Sequence, residues 1–122
     1  MDFLQYNLNY TIEFPKANID TKIAPIHLAA FIGKQDLMKL ILNNEAIDID
    51  LETETSGFTP LCVAAISGNY EILRMLIENG AELNKPNAFN QTPFICCFTR
   101  LEQDYQTFEN RKICFKMAEL LL

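Results

Sequence analysis

Residues 59–84 read TPLCVAAISGNYEILRMLIENGAELN, and nearly every letter in this stretch has a structural reason. Thr59 is a good helix N-cap because its hydroxyl can accept from a first-turn N–H that has no intrahelical partner. Pro60 at the next position loses no hydrogen bond and presets φ. Leu61, Ala64 and Ala65 make a short apolar face, with alanines where a neighbouring helix must come close. Gly68 can then take the left-handed conformation that ends a helix of about two turns. Asn69 is placed to cap a second helix, in which Ile72, Leu73, Leu76 and Ile77 fall on one stripe before Gly80 stops it. Helices this short are not stable alone, so the pair has to bury its stripe against similar neighbours.

The neighbours are in the same chain. Residues 25–33, PIHLAAFIG, recur in pattern at 60–68, PLCVAAISG, 35 positions on, with the Pro, the Ala–Ala pair and the closing Gly unchanged, and Pro93 follows Pro60 by 33. Twelve positions after each of the first two prolines an apolar helix pattern begins, LMKLIL at Leu37 and ILRMLI at Ile72. A fixed period in this range marks a stack of supersecondary units. The third copy departs: after TPFICCFTR, Leu101 occupies the place of the closing Gly, and MAELLL begins at Met117, 24 positions after Pro93. The surplus stretch LEQDYQTFENRK, about 101–112, contains no Gly or Pro, and Leu101, Tyr105 and Phe108 are spaced four and three apart. That pattern predicts lengthened helices or an added helical turn, with a contact surface or a freely varying ornament as its two readings.

The T-P-L-H-like turn, the Ala–Ala pair, the closing Gly, the Leu-rich second helix and the G-A-E-L-N exit together resemble an ankyrin repeat. The resemblance is good over 24–100 and partial over 112–122. It implies an all-α, ankyrin-type stack of L-shaped helix–helix–hairpin units whose usual role is protein–protein recognition. On this reading residues 1–20 form an N-terminal extension or cap, and 21–122 hold repeats at about 24–56, 57–91 and 92–122. His27 stands at the signature His position, where the family uses the imidazole to bond backbone between loops; Cys62 and Ile95 replace it in the other copies. Ala24 replaces the capping Thr of the first copy, a loss of about 1 kcal/mol.

Partner contacts in the resembled family come from hairpin tips and from the end of each first helix. Here those positions are Phe31 and Ile32 before Gly33; Thr55, Ser56 and Phe58 around Gly57; Ile66 and Ser67 before Gly68; and Ala88, Phe89 and Gln91 around Asn90, which stands in for the turn Gly. Phe31, Ile32, Phe58, Ile66 and Phe89 then make either an exposed apolar row, as interaction sites do, or packing between neighbouring hairpins.

Composition agrees with a binding module. The chain has 122 residues, 49% hydrophobic, enough for one domain with a core. A net charge of −6 argues against nucleic acid, which demands clustered Lys or Arg. Neither a secretory signal nor an apolar run long enough to cross a bilayer is present, and Cys62, Cys96, Cys97 and Cys114 sit in apolar helical context as buried free thiols do, so a cytoplasmic location is expected. The run EAIDIDLETE, residues 45–54, carries five acids and no base. Its opening has the spacing of a calcium loop, but Thr53 stands where the turn Gly is needed and Thr59 where the bidentate Glu is needed, so no metal is expected. Alternation with Ile47, Ile49 and Leu51 makes these acids the wet face of an extended arm; a basic partner is the sharper reading.

Catalysis finds little footing. His27 is the sole histidine, and stacked helices about 8–10 Å apart keep it from reaching Cys62. No phosphate loop and no paired-ligand motif points to a cofactor. At the N-terminus, Tyr6, Leu8, Tyr10, Ile12 and Phe14 alternate with polar residues as a half-buried strand does, with a short helix capped by Asp2 as the competing reading. The chain stops at Leu122 inside its last apolar stripe, which implies further repeats in a longer protein. The expected function is non-catalytic binding of a protein or peptide on the concave side. The alternative is a structural or regulatory segment of a larger protein whose effector region lies elsewhere.

Overall fold

The computed structural model of the 122-residue chain describes residues 12–13, 22–103 and 108–122. Among the described residues six helices follow one another in three pairs: α1 (Pro25–Ile32) with α2 (Gln35–Leu42), α3 (Pro60–Ser67) with α4 (Tyr70–Glu78), and α5 (Pro93–Gln103) with α6 (Phe108–Leu121). The first helices form one layer, α1 on α3 and α3 on α5, and the second helices a parallel layer behind, α2 on α4 and α4 on α6. This is the all-α stack that the repeat predicts.

Local rules place the helix ends. The Thr59 hydroxyl accepts from the Cys62 N–H at 3.2 Å, directly ahead of Pro60. Ala24 has no side chain that can do this, and the first copy compensates from inside: His27 Nδ1 accepts from the buried Ala24 N–H at 3.0 Å. Asn69 behaves differently from expectation. Its side chain does not cap α4; the amide instead reaches back one repeat and donates to the Ala30 and Phe31 carbonyls at 2.6 and 3.0 Å. Those two C=O groups lie in the last turn of α1, where carbonyls lack intrahelical partners, and the Asn69 amide satisfies them across units.

One apolar core runs through the stack. It joins Ile26, Ala29 and Ala30 of α1, Met38 and Ile41 of α2, Leu61, Ala64 and Ala65 of α3, Ile72, Leu73 and Leu76 of α4, and Cys96, Cys97, Met117 and Leu121 of the last pair. The alanines lie where first helices meet, and the larger aliphatics fill the space between layers. Burying each of these contributes roughly 1.5–3 kcal/mol, which is what short helices lack in isolation.

The third pair is longer, α5 with 11 residues and α6 with 14, against 8 and 9 in the second. Much of the surplus between Pro93 and Met117 is therefore helical, and only 104–107 fall outside the described residues. At the other end, β1 (Ile12–Glu13) pairs antiparallel with β2 (Lys22–Ile23), Ile12 opposite Ile23. The alternating stretch is thus a strand at Ile12 and Glu13; its remainder, and the helix considered for Asp2, lie outside the described residues.

The acidic run is not an extended arm. Asp48 Oδ1 accepts from the Asp50 N–H at 3.1 Å, closing a turn, and Asp50 Oδ1 accepts from the Glu82 N–H of the next unit at 2.9 Å. Ile47, Ile49 and Leu51 nevertheless pack on the core, while Glu45, Asp48, Glu52 and Glu54 are exposed.

Candidate functional site

Two hairpins and the ends of the first helices build the site. In the hairpin before α3, Thr53 is the organising residue: its hydroxyl accepts from the Phe58 N–H at 2.9 Å, its N–H donates to the Phe58 carbonyl at 2.9 Å, and its carbonyl accepts from the Gly57 N–H at 3.1 Å. Gly57 has φ 64° and lies so near the next hairpin that a Cβ there would sit 3.2 Å from the Ala88 nitrogen. Only glycine suits both conditions.

In the hairpin before α5, Asn87 plays the same part. Its Oδ1 accepts from the Phe89 and Gln91 N–H groups at 2.9 and 3.0 Å, and its amide donates to Gln91 Oε1 at 3.0 Å. Asn90 supplies the left-handed turn residue with φ 60°. The two hairpins are joined main chain to main chain, the Ala88 N–H donating to the Ser56 carbonyl at 2.9 Å. This join brings the Phe58 and Phe89 rings to 6.4 Å, tilted by 40°.

Between hairpins and first helices lies a cavity of about 440 Å³. Its walls are Phe31 and His27 of α1, Val63, Ile66 and Ser67 of α3, Thr99 of α5, Thr53 and Phe58 of one hairpin, Phe89 and Gln91 of the other, and Ile23 of β2. Of the contact positions carried over from the repeat pattern, Phe31, Phe58, Ile66, Ser67, Phe89 and Gln91 come together here. Phe31 and Phe89 are 65% and 63% exposed and stand as open rims, whereas Phe58 and Ile66 are half-buried and pack partly on the core. Both readings of the apolar row are therefore realised, in different members of it.

Ile32, Thr55 and Ala88 are exposed but do not line the cavity. Ser56 is buried where the two hairpins join, its carbonyl accepting from the Ala88 N–H, and does not line the cavity.

Ile23, His27, Thr53, Val63 and Thr99 line the cavity but are not among the contact positions that the repeat pattern implies. For two of them a signal exists. Thr99 lies six positions after Pro93, as Phe31 does after Pro25 and Ile66 after Pro60. Val63 lies one helical turn before Ile66, on the same face.

The polar groups around this cavity are engaged in holding the fold. His27 Nδ1 accepts from Ala24, which fixes the proton on Nε2, and Nε2 donates to the Leu51 carbonyl; this is the loop-to-loop bond implied for the signature His. The Thr99 hydroxyl donates to the Ile95 carbonyl at 3.2 Å. Cys62, in the equivalent place of the second unit, makes a weak S–H contact of 3.9 Å to the Lys85 carbonyl and a hydrogen bond with the Cys96 thiol.

All four cysteines are free and buried. The hydrogen bond with Cys62, reinforced by burial, holds the Cys96 thiol well above its ordinary value, and burial with the Cys114 thiol nearby pushes Cys97 up to about 12. The Cys96 and Cys97 thiols stay protonated and serve as small core residues, while the same hydrogen bond with Cys96 lowers the Cys62 thiol to about 7. Among the described residues, no cluster of three or more His, Cys, Asp or Glu could hold a metal, and no helix is long and apolar enough to cross a membrane. What the arrangement offers chemically is apolar surface with a few neutral polar atoms.

The family follows from these features. A family model described as ankyrin repeats, three copies, matches residues 2–87, and a second, described as ankyrin repeats, many copies, matches residues 61–122. The chain belongs to the ankyrin repeat family, a general protein–protein interaction module that is, as a class, non-catalytic. Curated relatives include ankyrin repeat domain-containing protein 29 of Danio rerio, 36% identical over 77 residues, covering 63% of this chain and 24% of the relative. Others are delta-latroinsectotoxin-Lt1a of Latrodectus tredecimguttatus, 35% identical over 57% of this chain and 6% of the toxin, and the human transient receptor potential cation channel subfamily A member 1, 34% identical over 58% of this chain and 6% of the channel. The matched region spans a quarter or less of each of these proteins, whose names describe different whole-protein roles.

Proposed function

We propose that the chain is a non-catalytic recognition module that binds a protein or an extended peptide in the groove between its hairpins and first helices. The observation that carries this reading is the cavity of about 440 Å³, whose walls come from all three units and from β2. Its size lies within the roughly 300–1,000 Å³ of sites that enclose a ligand, and its mainly apolar walls with a few convergent polar groups are the usual make-up of such sites. Rings held open to solvent at Phe31 and Phe89 are costly in water and become favourable once covered. The four reduced, buried thiols support a cytoplasmic setting for the module.

The test is a display selection of random peptides on the immobilised chain, repeated on a variant carrying Phe31→Ser and Phe89→Ser. Both rings are exposed, so the variant should melt within a few degrees of wild type while losing the selected peptides. Equal recovery on both chains would overturn the reading.

A further inference from the structure

Groove binding makes no use of the cysteines, yet two of them meet across a repeat boundary. Cys62 belongs to α3 and Cys96 to α5, first helices that pack directly on each other. Both side chains are fully buried, and their thiols share a hydrogen bond. Sulfurs in such contact have already made most of the approach to the roughly 2 Å of a disulfide. Cys97, the next residue of α5, turns its thiol to the Pro93 carbonyl of its own helix at 3.3 Å.

The two partners are chemically unequal. The bond from Cys96, aided by Thr59, lowers Cys62 to about 7 against the opposing effect of burial, so a substantial fraction is thiolate near neutral pH. Cys96 is held up chiefly by that same bond. A nucleophilic thiolate beside a second, protonated thiol is the arrangement in which one sulfur is oxidised and the other resolves it.

Access to Cys62 depends on the segment that covers it. In the first unit the His27 imidazole ties down the Leu51 carbonyl; at Cys62 the corresponding tie is the 3.9 Å sulfur contact with the Lys85 carbonyl. The same segment is also held by the Glu82 N–H donating to Asp50 Oδ1 at 2.9 Å, and by the Lys85 ammonium, 3.5 Å from the Asp50 carbonyl and 3.6 Å from the Glu52 carboxylate. These bonds lie at or near the surface, where local opening costs far less than unfolding.

We propose that Cys62 and Cys96 form a modification site, a dithiol that a hydroperoxide converts to a disulfide between the second and third repeats. The Cys62 thiolate attacks one peroxide oxygen, the O–O bond breaks, and Cys62 becomes a sulfenic acid. The departing hydroxide takes up the proton that the Cys62 thiol gave up and leaves as water. The Cys96 sulfur then attacks the sulfenic sulfur, and the displaced hydroxide takes the Cys96 proton as a second water. One hydrogen peroxide and two thiols thus give one disulfide and two waters, the sulfurs losing the two electrons that the peroxide gains. The link fastens α3 to α5 covalently, and a thiol reductant undoes it.

The test treats the full, reduced chain with excess hydrogen peroxide, alkylates the remaining thiols in denaturant, and maps the peptides by mass spectrometry with and without dithiothreitol. A Cys62–Cys96 link within the monomer, reversed by dithiothreitol, is expected, whereas the urea-unfolded chain should give mixed pairings. Cys97→Ser should keep the link. Cys96→Ser should stop at a sulfenic acid on Cys62, which dimedone traps. Should either variant not fold by circular dichroism, fragmentation of the wild-type linked peptides assigns the sulfurs instead. A link between Cys97 and Cys114, links only between chains, or a pairing no more selective than in urea would each overturn the proposal. So would four thiols that stay open to alkylation at a peroxide excess that oxidises the unfolded chain. None of these results bears on groove binding.

Discussion

Replacing His27 by alanine tests how the first repeat is held. The imidazole is buried, its Nδ1 accepting from the Ala24 N–H at 3.0 Å and its Nε2 donating to the Leu51 carbonyl. Each bond contributes about 1 kcal/mol net, but its loss strands a partner. The Ala24 N–H lies at a helix start with no intrahelical acceptor, and an orphaned buried group costs about 1–3 kcal/mol. Adding the space left by the ring, His27→Ala should lose about 3 kcal/mol, and His27→Leu, which keeps most of the volume, about 2 kcal/mol. For a domain of this size the first figure lowers Tm by about 10 °C, a large share of a stability that is about 5–15 kcal/mol in total. Cys62→Ala at the equivalent place, where the 3.9 Å sulfur contact and the hydrogen bond with the Cys96 thiol are lost, should cost about 1 kcal/mol. Urea unfolding followed by far-UV circular dichroism measures all three. A loss below about 1 kcal/mol for His27→Ala, or a cost for Cys62→Ala equal to it, would refute the view that the imidazole ties hairpin to helix.

Two further outcomes follow from particular contacts. Gly33 has φ 74°, and a Cβ there would lie 3.0 Å from Asn69 Oδ1, so Gly33→Ala should cost about 1–2 kcal/mol, as should Asn69→Ala through loss of its bonds to α1. Because removing the Asn69 side chain also removes the clash, the double variant should be less destabilised than the sum by about 0.5–1 kcal/mol; additivity in the unfolding cycle would speak against the contact. Alkaline titration gives the second. The Cys97 pKa is raised from 9.0 to about 12, so the unfolded chain releases this proton first. Its contribution to stability is complete below about pH 9 and is lost as pH climbs toward 12. Melting at stepped pH should show that decline, and Cys97→Ala should lessen it, the raised Cys96 thiol sustaining the remainder.

Features set by neighbours in sequence were readable in advance. Thr59, Pro60 and Gly68 act through hydrogen bonds and dihedrals within one turn, so their letters suffice. Asn69 departs from its capping preference because that preference is local, whereas its acceptors, the Ala30 and Phe31 carbonyls, belong to another repeat. Ser56 was placed at the rim because tips are usually open; the main-chain bond from Ala88 that buries it is not encoded in residue type. Thr53 and Asn87 escape for a related reason, since a short polar side chain in a loop can serve turn or solvent equally until the hairpin is closed. Thr99 was legible by its distance from Pro93 alone, though its letter shares nothing with Phe31 or Ile66. The tilted ring pair across two hairpins needed coordinates.

The bonds that fasten one unit to the next have an evolutionary corollary. An imidazole secures the first repeat to the Leu51 loop, an asparagine amide straps the second to α1, and a main-chain bond from Ala88 to Ser56 with the Phe58–Phe89 ring pair couples the hairpins. Each fastening has its own mate, so the repeats have ceased to be interchangeable parts. A chain made by duplicating or reordering them would present locks without keys, and divergence of the copies, once begun, fixes their order.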